Sequence, residues 1–264
     1  MISRYTYHGL AWIDLESPTR EEMLHLSEEF GLAKHIEEAL FSESPLKTVE
    51  AYEHCISIHL PIPRISSNGT MVSVHPLTVI VGRKFLITAH AGSIEAIKAF
   101  GSLFEHVEKP EYHQIPTDGA MLFAELMKHV YAIALKDLSH ISNRVRTIEH
   151  ALLNTNAEQL LKGIFQTDRT LLSFKQSIDS HRPILAAYSA ACMQCFGEDA
   201  LAIAGRISTE HEVACSKIEA EHLLLNSLQR ANASHLTAKN NARLTSLIIL
   251  SIIIILLTIS TLLI

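Results

Sequence analysis

After Gly205 the chain runs 59 residues to Ile264 without a glycine or a proline, and its last 21 residues, Leu244–Ile264, hold 15 Leu or Ile and no charge. No other feature restricts the fold as much. Gly and Pro are the residues that most weaken a helix interior. Their absence predicts one long helix, roughly 88 Å from end to end at about 1.5 Å per residue. Its apolar end would cover about 31 Å, enough for a hydrocarbon core of about 30 Å. Lys239 and Arg243 flank that end on its N-terminal side, and the positive-inside bias keeps what precedes them in the cytoplasm. The expected location is the cell membrane, with a cytoplasmic N-terminal body.

The rest of the composition agrees with one such segment on an ordinary body. Charged residues make up 19% of the chain, below the roughly 25% of a typical soluble domain, and mean hydropathy is +0.19. Lys and Arg number 22 against 28 Asp and Glu, so no basic face for nucleic acid is expected. Cys55, Cys192, Cys195 and Cys215 are too few and too scattered for a secreted disulfide framework. Met1–Tyr5 carries no apolar core of signal-peptide type.

Punctuation divides what lies before the long helix. Seven of the eight prolines fall within residues 1–117, which read as mixed α/β. Trp12–Leu15 is a short strand. A helix follows, with Pro18 suited to its first position, Thr19 and Glu22 spaced as a capping box, and Gly31 as the stop. A second short helix fits Lys34–Phe41. Strands are expected over Val49–Ile62, from about Met71 to Val81, and over Phe85–Ala89, with Asn68-Gly69 as a hairpin turn. Ser93–Val107 reads as a helix with Ile94, Ile97, Phe100 and Phe104 on one face.

From Asp118 the pattern turns helical. Phe123, Met127, Val130, Ala134, Leu138, Ile141, Val145, Ile148 and Leu152 step by three or four residues, as in a helical hairpin or coiled coil. A second long helix covers about Ala157–Ser180, and Pro183 and Gly197 interrupt before the last element. The fold class is α+β, in four parts: an α/β domain over 1–117, a long-helix layer over 118–205, a stalk over 206–243 and a membrane helix over 244–264. The stalk's apolar stripe is Val213, Ala220, Leu224, Leu228 and Ala231. A helix this polar is not stable alone, and packing against copies of itself around an axis is expected.

Candidate chemistry is sparse. Sixteen histidines are scattered, and no His-Glu-x-x-His, Walker A or Gly-x-Ser-x-Gly pattern occurs, so no enzyme is expected. The densest cluster is Glu210, His211 and Glu212 with Glu219, Glu221 and His222. His211 and His222 lie three helical turns apart, and Glu219 sits one turn from His222. One protomer cannot close these groups around an ion, but neighbouring stalks can, and carboxylate oxygens suit hard divalent cations. A solvated charged face explains the same residues. Cys192-x-x-Cys195 is half a tetrahedral zinc site, and two small thiols packed in a reducing compartment explain it equally.

The order of these blocks resembles the CorA-type divalent-cation transport family. Trp12-Ile13-Asp14-Leu15 with Pro18-Thr19-Arg20-Glu21-Glu22 is similar to the family's opening. Phe30-Gly31-Leu32, Ile36-Glu37-Glu38-Ala39-Leu40 and Lys47-Thr48-Val49-Glu50-Ala51-Tyr52 are similar to its next blocks, and Phe85-Leu86-Ile87-Thr88-Ala89-His90 to its characteristic strand. Leu244-Thr245 matches the entrance to its first transmembrane helix. The resemblance covers nearly the whole chain.

It implies a homopentamer in the membrane that conducts Mg2+, or a related divalent ion such as Zn2+ or Co2+, through a pore lined by the first transmembrane helices. On that helix Asn241, Leu244, Ile248, Ile252 and Ile255 share a face and are expected toward the axis; a lipid-facing placement fits the isoleucines as well. Glu210, Glu212, Glu219 and His222 are the expected inter-protomer ion-sensing residues. They stand in place of the Asp-containing stretch used by relatives, which here reads Arg206-Ile207-Ser208-Thr209-Glu210-His211. The family's Gly-Met-Asn motif and second transmembrane helix are not among these residues, and Leu256-Leu257-Thr258 stands where a proline is common. The alternative expectation is a single-pass scaffold or regulatory subunit that does not conduct, or a truncated transporter.

Overall fold

The structure is a computed structural model that describes residues 2–7, 9–32, 48–104, 116–151 and 157–262. Six strands form one sheet: β1 (Ile2–Tyr7), β2 (Leu10–Glu16), β3 (Val49–Ala51), β4 (Cys55–Ile65), β5 (Val72–Gly82) and β6 (Phe85–His90). Their spatial order is β1-β2-β6-β5-β4-β3. All neighbours are antiparallel except β2 and β6, which run parallel with Glu16 beside His90 at their carboxyl ends. The helices are α1 (Arg20–Phe30), α2 (Glu95–Phe104), α3 (Gly119–Ala151), α4 (Ala157–Asp179), α5 (His181–Cys195) and α6 (Glu198–Leu262). The α+β class stands as expected.

Strand alternation sends side chains to two cores. Ile13, Leu15, Ile80 and Ile87 bury against Met23 and Leu26 of α1 on one face. Trp12, Ile56, Ile58, Val79, Val81 and Leu86 point to the other, where the remaining helices cover them. Each fully buried aliphatic side chain contributes about 1.5–3 kcal/mol, so both faces commit the register. On the second face Trp12 stacks on Tyr5 at 4.7 Å between ring centroids and meets Phe100 of α2 at 4.8 Å.

Local signals set several boundaries. The capping box forms: Thr19 Oγ1 accepts from the Glu22 amide at 3.3 Å and Glu22 Oε2 accepts from the Thr19 amide at 2.8 Å. Thr19 is the cap, so Pro18 stands one residue outside the helix. Gly31 closes α1 with a left-handed φ of 62°. The β4–β5 hairpin turns at Asn68-Gly69, where a Cβ on Gly69 would lie 2.8 Å from Arg144 Cδ. Gly119 lets α3 start directly on the β5–β6 turn, since a Cβ there would stand 2.0 Å from the Gly82 carbonyl oxygen.

Other elements differ from the sequence reading. The chain opens with a strand, β1, that the sequence reading does not assign. The single strand expected over Val49–Ile62 is two, split where the Tyr52 amide donates to the Cys55 carbonyl at 2.8 Å. β4 tolerates Pro61 because it faces Pro76 across the ladder, beyond the stretches paired with β3 and β6, so no inter-strand bond is lost. Helix α5 contains Pro183 in its first turn, where the missing N–H would have had no helical partner anyway. The break falls at Ser180, where the second long helix is expected to end, and Pro183 interrupts nothing. Helix α6 starts at Glu198 and carries Gly205 inside it. Helix α2 is described from Glu95 to Phe104; the expected helix at Lys34–Phe41 and the end of the stripe at Leu152 lie outside the described residues.

Candidate functional site

Among the described residues the longest element is α6, 65 residues long. Its first half packs on α3, α4 and α5. Ala204, Ile207, His211, Ala214, Ile218, Leu225, Leu228 and Asn232 form the covered side. The chain's own helices thus cover one face of the stalk, a packing the sequence reading does not assign. The sequence stripe was out of phase with that face. Of its members only Leu228 is buried, while Val213 is 43% exposed and Leu224 39%. Ile207, Ile218, Leu225 and Leu228 alternate on the true inner face with the small Ala204 and Ala214 and the polar His211 and Asn232, which interrupt its apolar pattern.

From Thr237 to Thr258 every side chain of α6 is exposed. Among the described residues this is the one helix long and apolar enough to cross a membrane. Its hydroxyls are satisfied within the helix, as lipid requires: Thr245 Oγ1 donates to the Asn241 carbonyl and Ser246 Oγ to the Ala242 carbonyl, both at 3.0 Å. Asn241, Leu244, Ile248, Ile252 and Ile255 lie along one side. Exposure does not single that side out, because Leu247, at 61%, is as bare as Ile248, at 59%.

The acidic cluster separates. Glu219 and His222 come within 3.9 Å of each other, at the seam with α4. Lys175 of α4 reaches Asp179 and Glu219, each at 3.2 Å, and these hydrogen bonds and charges raise its pKa. His222 lies 3.8 Å from Asp168. Glu221 accepts from Ser142 Oγ at 2.6 Å, its other carboxylate oxygen buried without a partner among the described residues. Glu212 is exposed and Glu210 half-buried. Among the described residues no group of three or more His, Cys, Asp or Glu side chains is arranged to hold a metal ion within one chain. The four cysteines are free thiols; burial pushes Cys192 up to about 11, and Cys195 donates to the Tyr52 carbonyl at 3.3 Å.

His211 does not face outward. Its Nε2 donates to the Ile178 carbonyl at 2.9 Å, beside His181 at the α4–α5 corner. His181 in turn donates from Nε2 to the Pro61 carbonyl at 2.8 Å and accepts at Nδ1 from Tyr131 Oη at 3.0 Å. That pattern describes a neutral ring, and burial together with the nearby His211 lowers its pKa to about 4 despite the Pro61 bond. The two histidines thus join the stalk, the helix corner and the sheet. A second buried junction ties β4 to α2 and α3: Asp137 Oδ2 accepts from Arg64 Nε and the Ile65 amide, each at 3.0 Å, while Arg64 reaches Glu95 at 2.8 Å. Sequence reasoning missed both, since the partners lie far apart in the chain and no spacing rule connects them.

The fold defines an α+β body carried on a single long helix that continues into an apolar span. Residues 7–262 match the CorA-like Mg2+ transporter protein family, and the chain belongs to it. That family consists of transporters and not enzymes. A curated relative, the cobalt/magnesium transport protein CorA of Methanocaldococcus jannaschii, is 23% identical over 178 residues. The match covers 67% of this chain and 55% of the relative, so the chain spans little more than half the relative's length. The complete structure of the CorA magnesium transporter from the same organism superimposes with a TM-score of 0.69 at 17% identity, over 89% of this chain and 74% of that one. The soluble domain of that protein gives 0.68 at 18% identity, over 86% of this chain and 88% of that one. At these identities the likeness is one of fold.

Proposed function

We propose that this chain assembles as a channel-like homopentamer in the cell membrane and passes Mg2+ or a related divalent ion such as Co2+ or Zn2+. The observation that carries this reading is α6: one helix, held by its own chain at one end and bare through its apolar span at the other. Such a span needs lipid on one side and permits other copies of itself on the other. The outward stripe of Val213, Ala220, Leu224 and Ala231 offers the stalk a second contact face. Family membership and the curated relative, a cobalt/magnesium transport protein, supply the ion class.

In this arrangement residues up to 205 and the stalk over 206–243 lie in the cytoplasm, since Lys239 and Arg243 precede the membrane helix over 244–264. Asn241, Leu244, Ile248, Ile252 and Ile255 face the axis, where an aliphatic ring gates by dewetting. Magnesium gives up its water reluctantly, so the polar Asn241 ring meets a hydrated ion. Glu210 and Glu212 are the carboxylates assigned to an ion-sensing contact between stalks. Glu219 and His222 join them only by leaving Lys175 and Asp168.

Proteoliposomes carrying the full chain and a divalent-sensitive dye test the reading. Entry of Mg2+, Co2+ or Zn2+ above that of protein-free liposomes is expected. No entry of any of the three, from liposomes in which the chain is shown to be assembled, would overturn conduction and leave a scaffold.

A further inference from the structure

At the carboxyl ends of the parallel pair β2 and β6 the chain makes a directed line of hydrogen bonds. Trp12 Nε1 donates to Thr88 Oγ1 at 3.1 Å, and Thr88 Oγ1 donates to Asp14 Oδ1 at 2.6 Å. The same carboxylate oxygen lies 3.2 Å from His90 Nε2, and His90 Nδ1 meets the Gly92 carbonyl oxygen in a short contact. His90 is buried, with 5% of its surface exposed. Both of its ring nitrogens therefore face oxygen atoms that can only accept. A neutral imidazole carries one N–H and one lone pair, so it would turn that lone pair on the carboxylate or on the carbonyl. Only the doubly protonated ring satisfies both.

The pair also closes two loops on each other. The Ser17 amide donates to the His90 carbonyl at 2.8 Å, and the Gly92 amide donates to Ser17 Oγ at 3.3 Å. Ser17 is held at φ 49°, in the left-handed region that a residue with a Cβ rarely adopts. One loop leads to α1 on one face of the sheet and the other to α2 on the opposite face. Helix α2 begins at Glu95, which bonds Arg64 of β4 and Lys136 of α3, and α3 packs along α6.

We propose that Asp14 and His90 form a pH-sensitive clasp, closed while the His90 ring carries both protons and opened when it loses one, which releases the loops leading into α1 and α2. Among the described residues the charged groups that face His90 are Asp14 and Glu16, both on β2; on β5 its pairing residue is Leu77, and the loop into α2 supplies the Gly92 carbonyl. Burial opposes the charged ring. The Asp14 hydrogen bond and charge, the Gly92 carbonyl and the Glu16 charge outweigh it and raise the pKa of His90. A raised folded value makes the clasp's contribution complete below about pH 6.5, the usual histidine value, and lost as pH climbs through the folded one.

Trp12 is the chain's one tryptophan, so its emission reads the far end of the line. Histidine C2-hydrogen exchange followed by mass spectrometry on the full chain in detergent gives the titration midpoint of His90. A midpoint above about 6.5 is expected, with a step in Trp12 emission over the same range. Asp14→Asn should lower the midpoint, and His90→Gln should abolish the emission step. A wild-type midpoint at or below about 6.5, an Asp14→Asn midpoint equal to wild type, or an emission step that survives His90→Gln would each overturn the clasp.

Discussion

Removing the Asp137 carboxylate should cost the fold more than its single negative charge suggests. Asp137 is 4% exposed and one oxygen serves two donors, the Arg64 guanidinium and the Ile65 amide. In Asp137→Ala the Ile65 N–H is left buried without an acceptor, at about 1–3 kcal/mol. Arg64 keeps Glu95 and is partly open to water, so its share is about 1 kcal/mol. The expected total is about 2–4 kcal/mol. Arg64→Ala has a different origin: it strands a buried carboxylate, a loss of up to about 3–5 kcal/mol when no other partner compensates. The two costs cannot add, because the double variant contains neither the stranded carboxylate nor the orphaned guanidinium. A coupling of about 1–3 kcal/mol is expected. Urea unfolding of the full chain in detergent, followed through Trp12 emission, measures all four corners of the cycle. Additivity within about 0.5 kcal/mol, or an Asp137→Ala cost below about 1 kcal/mol, would refute this account of the junction.

Gly119→Ala should lower stability by about 1–3 kcal/mol, read as a fall in Tm, because its Cβ would collide with the Gly82 carbonyl and the backbone must shift. Acid should weaken the protein through His181: with a folded pKa of about 4, stability falls as pH drops from about 6.5 toward that value, by at most about 1.4 kcal/mol per pH unit. His181→Gln should flatten that slope in denaturation measured at several pH values. Ile252→Ser should change divalent entry into proteoliposomes severalfold while Ile253→Ser does not; equal effects at both positions would reject Ile252 as an axis residue.

The sequence made most of α6 legible because a helix is limited chiefly by Gly and Pro, and both are absent after Gly205. The Thr19–Glu22 box, Gly31 and Asn68-Gly69 were legible for a similar reason: each is a local device whose partners lie within a few residues. The inner face of α6 was only partly hidden: Ile207, Ile218, Leu225 and Leu228 step at helical spacing, but Ala204, His211, Ala214 and Asn232 between them blur the stripe, and Val213, Leu224 and Ala231 offer a competing one. The end of α4 near Ser180 was legible, but α5 was hidden because Pro183, read as an interruption, is tolerated in a first turn. The Asp14–His90 pair joins residues brought together only by the parallel pairing of β2 with β6, a crossover that no local signal marks. Of the expected ion-sensing residues, the sequence correctly put Glu219 near His222 but could not show Lys175 and Asp168 beside them.

The central claim is that copies of α6 surround one axis. Native mass spectrometry of the full chain released from lipid nanodiscs tests it by counting subunits. Five copies per particle are expected; a particle of one copy would contradict a pore built from this helix.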